Sequence, residues 1–122
     1  MILVDTSIWV RHLRKGNELL SLLLDQGLVL IHPFIIGELA CGSMVNRQEI
    51  LELLKALPCI VTAEHTEVLH LVEEKHLYGR GIGWIDAHLL ASALLSDSCL
   101  FTSDRKLLHV AVSLGIAYGS GC

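Results

Sequence analysis

Four carboxylates, Asp5, Glu38, Asp86 and Asp104, stand in settings where a charge is unexpected. Asp5 ends the apolar run Ile2-Leu3-Val4, and Asp104 follows Cys99-Leu100-Phe101 after Thr102 and Ser103. Glu38 interrupts Pro33-Phe34-Ile35-Ile36-Gly37-Glu38-Leu39-Ala40, and Asp86 lies within Trp84-Ile85-Asp86-Ala87-His88-Leu89-Leu90-Ala91. An isolated ionised carboxylate is costly to bury, so acids among apolar residues are expected to have partners or metals. Few basic residues lie near these four in sequence. Taken singly, Asp5, Asp86 and Asp104 also suit helix N-caps, and Glu38 suits an ion pair with Arg11 or Arg80. One shared metal site accounts for all four together. Oxygen-only ligands favour Mg²⁺ or Mn²⁺ over Zn²⁺. Carboxylate-held hydrated ions suit phosphodiester hydrolysis, where one activates water and another stabilises the leaving oxygen. Thr6 and Thr102 offer hydroxyls beside this set, to orient a carboxylate or water or to serve ordinary cap and strand chemistry.

The elements that must position these residues alternate between strand and helix. Short apolar strands are expected at Ile2–Val4, Leu28–Ile31, Cys59–Val61, Cys99–Phe101 and Ile116–Tyr118. Between them fall helical stretches. Asp5-Thr6-Ser7 caps the first and Asn17 the second, which Gly27 ends. Pro33 opens a helix to Cys41, and Arg47–Leu57 is amphipathic with Ile50, Leu51, Leu54 and Leu57 on one face. Further helices are expected at Glu64–Tyr78, Trp84–Leu95 and Asp104–Ser113. Such alternation implies a parallel sheet covered by helices on both faces. Ligands of such sheets bind outside the carboxyl ends of the strands, the edge where Asp5 and Asp104 must lie.

The segments Val4-Asp5-Thr6-Ser7, the mid-helix Glu38, Gly83 to Ala93 and Phe101 to Leu107 together resemble the PIN domain family, and within it the compact VapC-type toxins of toxin–antitoxin pairs. The resemblance covers essentially the whole chain, residues 1–122, as one domain. It implies a three-layer α/β/α fold with a five-stranded parallel sheet, and the order 3-2-1-4-5 is expected because Asp5 and Asp104 follow strands that must be neighbours to share ions. It also implies an Mg²⁺- or Mn²⁺-dependent endoribonuclease with Asp5, Glu38, Asp86 and Asp104 as metal-binding and catalytic residues. The expected partners are an RNA substrate, a VapB-type antitoxin and a second copy of the chain. A PIN nuclease that processes RNA without a toxin role is the nearest alternative. A phosphorelay receiver of similar size would need a phospho-accepting Asp at the end of the third strand, where the sequence reads Ile60-Val61-Thr62-Ala63.

Composition bounds these readings. Hydrophobic residues make up 52% and charged residues 18%, which excludes disorder and suggests that an apolar surface is covered by a partner or second copy. The net charge of −4 is unusual for a nucleic-acid binder, but less so if metal ions neutralise four of the acids. No basic leader precedes the first strand and no apolar run spans a bilayer, so a cytoplasmic location is expected. The cysteines at 41, 59, 99 and 122 lack CxxC spacing and read as buried free thiols. Gly79-Arg80-Gly81-Ile82-Gly83 lacks the Lys-Ser/Thr of a phosphate-binding P-loop and reads as a turn into the Asp86 helix. Arg80 on that rim, Arg11, Arg105 and Trp84 are the candidate RNA contacts, the indole by stacking on an unpaired base. Seven histidines show no helical metal-pair spacing.

Overall fold

A computed structural model describes all residues, 1–122. Strand β1 (Ile2–Val4) leads through Asp5 into helix α1 (Thr6–Lys15), and α2 (Glu18–Asp25) precedes β2 (Val29–Leu30). Helices α3 (Pro33–Cys41), α4 (Arg47–Lys55), α5 (His65–Glu74) and α6 (Trp84–Leu95) follow. Strand β3 (Cys99–Phe101) and helix α7 (Arg105–Ser113) complete the elements.

The sheet is parallel, in the order β2-β1-β3, with Ile2 opposite Val29 and Cys99, and Val4 opposite Phe101. Successive strand residues face opposite sides of a sheet. Ile2, Leu3 and Val4 are all buried, so both faces of β1 are covered, as parallel strands require. Leu20, Ile35, Leu89, Leu90, Leu107 and Val110 extend this core from the helices. A small satellite of Ala63, Val68, Ala87 and Ala91 seats α5 on α6, where short side chains permit close approach.

Local chemistry sets the helix ends. The Asn17 side chain accepts the Leu20 N–H at 2.9 Å, satisfying one of the unpaired donors at the start of α2. His32 does the same for α3, its Nδ1 accepting the Phe34 N–H at 3.0 Å, with Pro33 in the first turn. Gly27, at φ 67°, reverses the chain after α2 so that the Leu28 N–H reaches the Leu23 carbonyl at 3.0 Å.

Three expectations need correction. The sheet has three strands, not five: the segments at Cys59 and Ala117 each contribute a single parallel bridge, to Ile31 and Leu100. Pro58 offers no N–H to prolong the first, and turns at Gly115 (φ 74°) and Gly119 (φ 89°) clip the second at both ends. The cysteines are not four buried thiols. Cys99 and Cys122 form a disulfide with Cα atoms 5.8 Å apart, because the turns at Gly119 and Gly121 carry the tail back to the start of β3, and Cys41 and Cys59 are free and exposed. Two helices also end sooner than their apolar spacing implies, α4 at Lys55 and α5 at Glu74. His76 at φ 54° cannot continue a right-handed helix.

Candidate active site at the carboxyl edge of the sheet

The pairing of β1 with β3 builds the centre of the site. With Val4 opposite Phe101, the next residues, Asp5 and Thr102, leave the sheet side by side, and the Asp5 N–H donates to the Phe101 carbonyl at 2.9 Å. The Thr102 hydroxyl donates to Asp5 Oδ2 at 2.7 Å and the Ser7 hydroxyl donates to the same oxygen at 2.9 Å. Asp5 stands at the N-cap position of α1 but its carboxylate makes no capping bond. It is buried, and its charge is held by two hydroxyls instead of a helix terminus.

The hydroxyls extend the network. Ser7 Oγ accepts the Ser103 N–H at 3.1 Å, and Thr102 Oγ1 accepts the Asp104 N–H at 3.1 Å, so the loop after β3 is tied to Asp5 from two sides. The Thr6 hydroxyl donates to Glu38 Oε1 at 2.7 Å, across from α1 to α3. Glu38 therefore lacks the ion pair considered for it. The one Lys or Arg ion pair is Lys75–Glu74, and the His70 ring also meets Glu74, both remote in sequence from the four acids.

Asp104 is a true N-cap, its Oδ1 accepting the Leu107 N–H at 3.0 Å. Asp86 sits three residues into α6 and reaches back to accept the Gly83 N–H at 3.2 Å. Capping does not exhaust either carboxylate, since each has a second oxygen. Burial raises the Asp86 pKa, the Gly83 bond opposes this, and the charges of Asp5, Asp104 and Glu38 raise it further. The four acids therefore share one electrostatic neighbourhood. It is an open edge rather than a buried pocket: Asp5 is buried, Asp86 half-buried, and Glu38 and Asp104 exposed. The expectation of four acids enclosed by apolar residues holds for Asp5 alone, because α3 and the loop after β3 turn Glu38 and Asp104 to solvent.

The donor set fits a hard divalent cation. Asp86 feels the charges of the other three carboxylates, and none of the four is paired with Lys or Arg. No three acidic, His or Cys side chains are drawn round a common point as a closed cage. An ion such as Mg²⁺ keeps several of its waters and takes one or two carboxylates directly, so it does not require a closed cage.

Glu38 also belongs to two clefts leading from this edge. One, of about 610 Å³, runs between α1, α3 and the start of α4 past Val10, Leu13, Arg14 and Met44. The other, of about 640 Å³, lies between α3 and α6 and is lined by Phe34, Gly37, Trp84 and Ile85. The Trp84 ring is partly exposed and stands 4.7 Å from His88 and 4.9 Å from His65. Burial, then the charge of His88, lowers the His32 pKa to about 4. Its neutral ring therefore keeps the α3 cap at neutral pH.

The remaining expected contacts scatter. Arg11 is exposed on α1 beside a hollow shared with Ser7, Arg14 and Lys15, and Arg105 is exposed at the start of α7. Arg80 donates to Ser113 Oγ at 3.4 Å, at the far end of α7 from Asp104. Ser7 is the site residue that sequence reasoning missed. It lies in Asp5-Thr6-Ser7, where three consecutive capping residues conceal which hydroxyl meets which acid.

Comparison with known proteins agrees with this geometry. The family model of the PIN domain matches residues 2–113, and the chain belongs to that family. It is similar to ribonuclease VapC32 of Mycobacterium tuberculosis, in strains CDC 1551 / Oshkosh and ATCC 25618 / H37Rv. Each is 43% identical over 118 residues, covering 96% of this chain and 95% of the relative.

Proposed function

We propose that the protein is a divalent-metal-dependent endoribonuclease acting as the toxin of a VapBC-type pair. The observation that carries this reading is the set of four carboxylates without a cationic partner, of which Asp86 feels the charges of the other three, at the carboxyl edge of a PIN domain sheet. Identity of 43% over almost the full length to a ribonuclease supports RNA as substrate. Asp5, Glu38, Asp86 and Asp104 would hold Mg²⁺ or Mn²⁺, which supplies an activated water and charge stabilisation of the leaving oxygen. Asp5 is the anchor, fixed by Thr102 and Ser7. Thr6 orients Glu38, and Gly83 holds one oxygen of Asp86 while leaving the other open. Arg11 and Arg105, both exposed, would meet the RNA backbone, and Trp84 would stack on an unpaired base.

Two partners complete the proposal. A second copy of the chain would cover some of its exposed leucines, which include Leu22, Leu53, Leu69 and Leu95. A VapB-type antitoxin would restrain the enzyme by placing an Arg among the carboxylates, where a guanidinium replaces the metal charge.

The test is cleavage of single-stranded RNA by purified protein with Mg²⁺ or Mn²⁺. EDTA is expected to abolish it, and Asp5→Ala to reduce it by roughly 10- to 100-fold or more through lost ion binding. Equal cleavage by wild type and Asp5→Ala would place the activity elsewhere. Growth arrest on expression, relieved by the antitoxin, separates the toxin from a processing nuclease.

A further inference from the structure

Resting on the ribonuclease reading, we propose that Lys106 binds a phosphate of the RNA substrate and that Gly81 is the positioning residue that holds it at the site's rim. A Cβ built on Gly81 would stand 2.5 Å from Lys106 Cδ and 3.1 Å from both Cε and Nζ. The lysine stem thus lies on the bare backbone of Gly81, whose φ of 80° itself favours glycine.

Both ends of this contact are anchored to site carboxylates. Lys106 is in the first turn of α7, which Asp104 caps through Leu107, and Leu107 is fully buried beside it. Gly81 belongs to the loop entering α6, and that loop is tied to Asp86 through the Gly83 N–H. Lys106 therefore spans the gap between the elements that carry Asp86 and Asp104. It is exposed and makes no ion pair, so its ammonium is open to a ligand.

The chemistry requires a cation there. A metal held by the four carboxylates offsets them at the cleaved phosphate, but the chain as a whole is acidic, so the flanking phosphates still need positive groups at the rim. Arg80 meets Ser113, seven residues or about 10 Å along α7 from Lys106. A lysine already pinned along its stem loses less side-chain freedom on binding than a free one. A lysine ammonium is an effective point-charge partner for phosphate.

The experiment measures KM and kcat for a short unstructured RNA with Mg²⁺ or Mn²⁺ between 50 and 200 mM salt, roughly the range over which counterion release is read. Lys106→Ala is expected to raise KM about fivefold, leave kcat nearly unchanged, and lower the slope of log KM against log salt by about 0.7, the value for one phosphate contact on a single strand. Lys106→Arg should recover most of the affinity. Gly81→Ala strains a φ of 80° in either background, so its rise in KM should be larger in the wild type than in the Lys106→Ala background, which separates loss of positioning from general damage to the loop. Lys55→Ala, on α4, serves as a charge control with an unchanged slope. Unchanged KM and slope in Lys106→Ala, or a fall in kcat alone, would overturn the inference, as would additive effects of Gly81→Ala. Absence of metal-dependent RNA cleavage by the wild type would overturn the ribonuclease reading, and this inference with it.

Discussion

Three hydroxyls do much of the ordering at the carboxyl edge. Thr102 and Ser7 converge on one oxygen of Asp5, and Thr6 takes Glu38, so α1, α3 and the loop after β3 are joined through side chains. Asp86 has no hydroxyl partner, and burial first, then the charges of Asp5, Asp104 and Glu38, raise its pKa. In the folded chain its proton leaves at higher pH than in the unfolded chain. Folding therefore takes up a proton in that window, and stability from this group falls as pH rises through it. Asp86→Asn retains an acceptor for Gly83 and removes the repulsion. Without metal at neutral pH, it is expected to raise the melting temperature by roughly 2–5 °C. The gain should shrink on acidification as wild-type Asp86 becomes protonated, and should reverse in saturating Mg²⁺. A lower melting temperature in EDTA would show that the carboxylates do not repel one another.

At the scale of elements, the start of α3 depends on an unusual cap. His32 can accept the Phe34 N–H only while Nδ1 is unprotonated. Its pKa is lowered from 6.5 to about 4, first by burial and then by the charge of His88. The stabilisation is complete above pH 6.5 and is lost as pH falls towards 4, amounting to roughly 2–3 kcal/mol over the whole interval. Because α3 carries Glu38, acid should loosen the site together with the helix. His32→Asn keeps a favoured cap without the titration. Melting followed at pH 7 and pH 5 should show a smaller loss for His32→Asn than for wild type. Equal losses would mean that other groups set the acid sensitivity.

For the molecule as a whole, the tail and the open edge matter most. The disulfide between Cys99 and Cys122 fastens the last residues to the start of β3, at the end of the sheet opposite the carboxylates. Thiol titration of the denatured, unreduced protein is therefore expected to find two free cysteines, Cys41 and Cys59, and four after reduction. Closing this loop contributes about 3 kcal/mol in the chain-entropy account, so reduction should lower the melting temperature while metal-dependent cleavage persists. Four reactive thiols before reduction would contradict the pairing. No helix is long and apolar enough to cross a membrane.

The alternation of apolar runs with helical periods was sufficient to place β1, β2, β3 and most helix starts, because burial on both faces of a parallel strand demands a continuous apolar run. It also marked the four acids and the hydroxyls of Thr6 and Thr102, since polar residues at the ends of such runs (Asp5, Asp104) or within them (Glu38, Asp86) are conspicuous in so apolar a chain. Pairing lay beyond it. Whether Cys59 and Ala117 extend the sheet or make one bridge depends on turns at Pro58, Gly115 and Gly119 acting against neighbours distant in sequence. The register Val4–Phe101 brings Ser7 and Thr102 to one oxygen of Asp5, and the close approach of two loops lays Lys106 on Gly81. Such contacts join residues up to 97 positions apart. Local propensity and periodicity specify which residues can be buried or cap a helix, whereas only tertiary packing decides which of them meet.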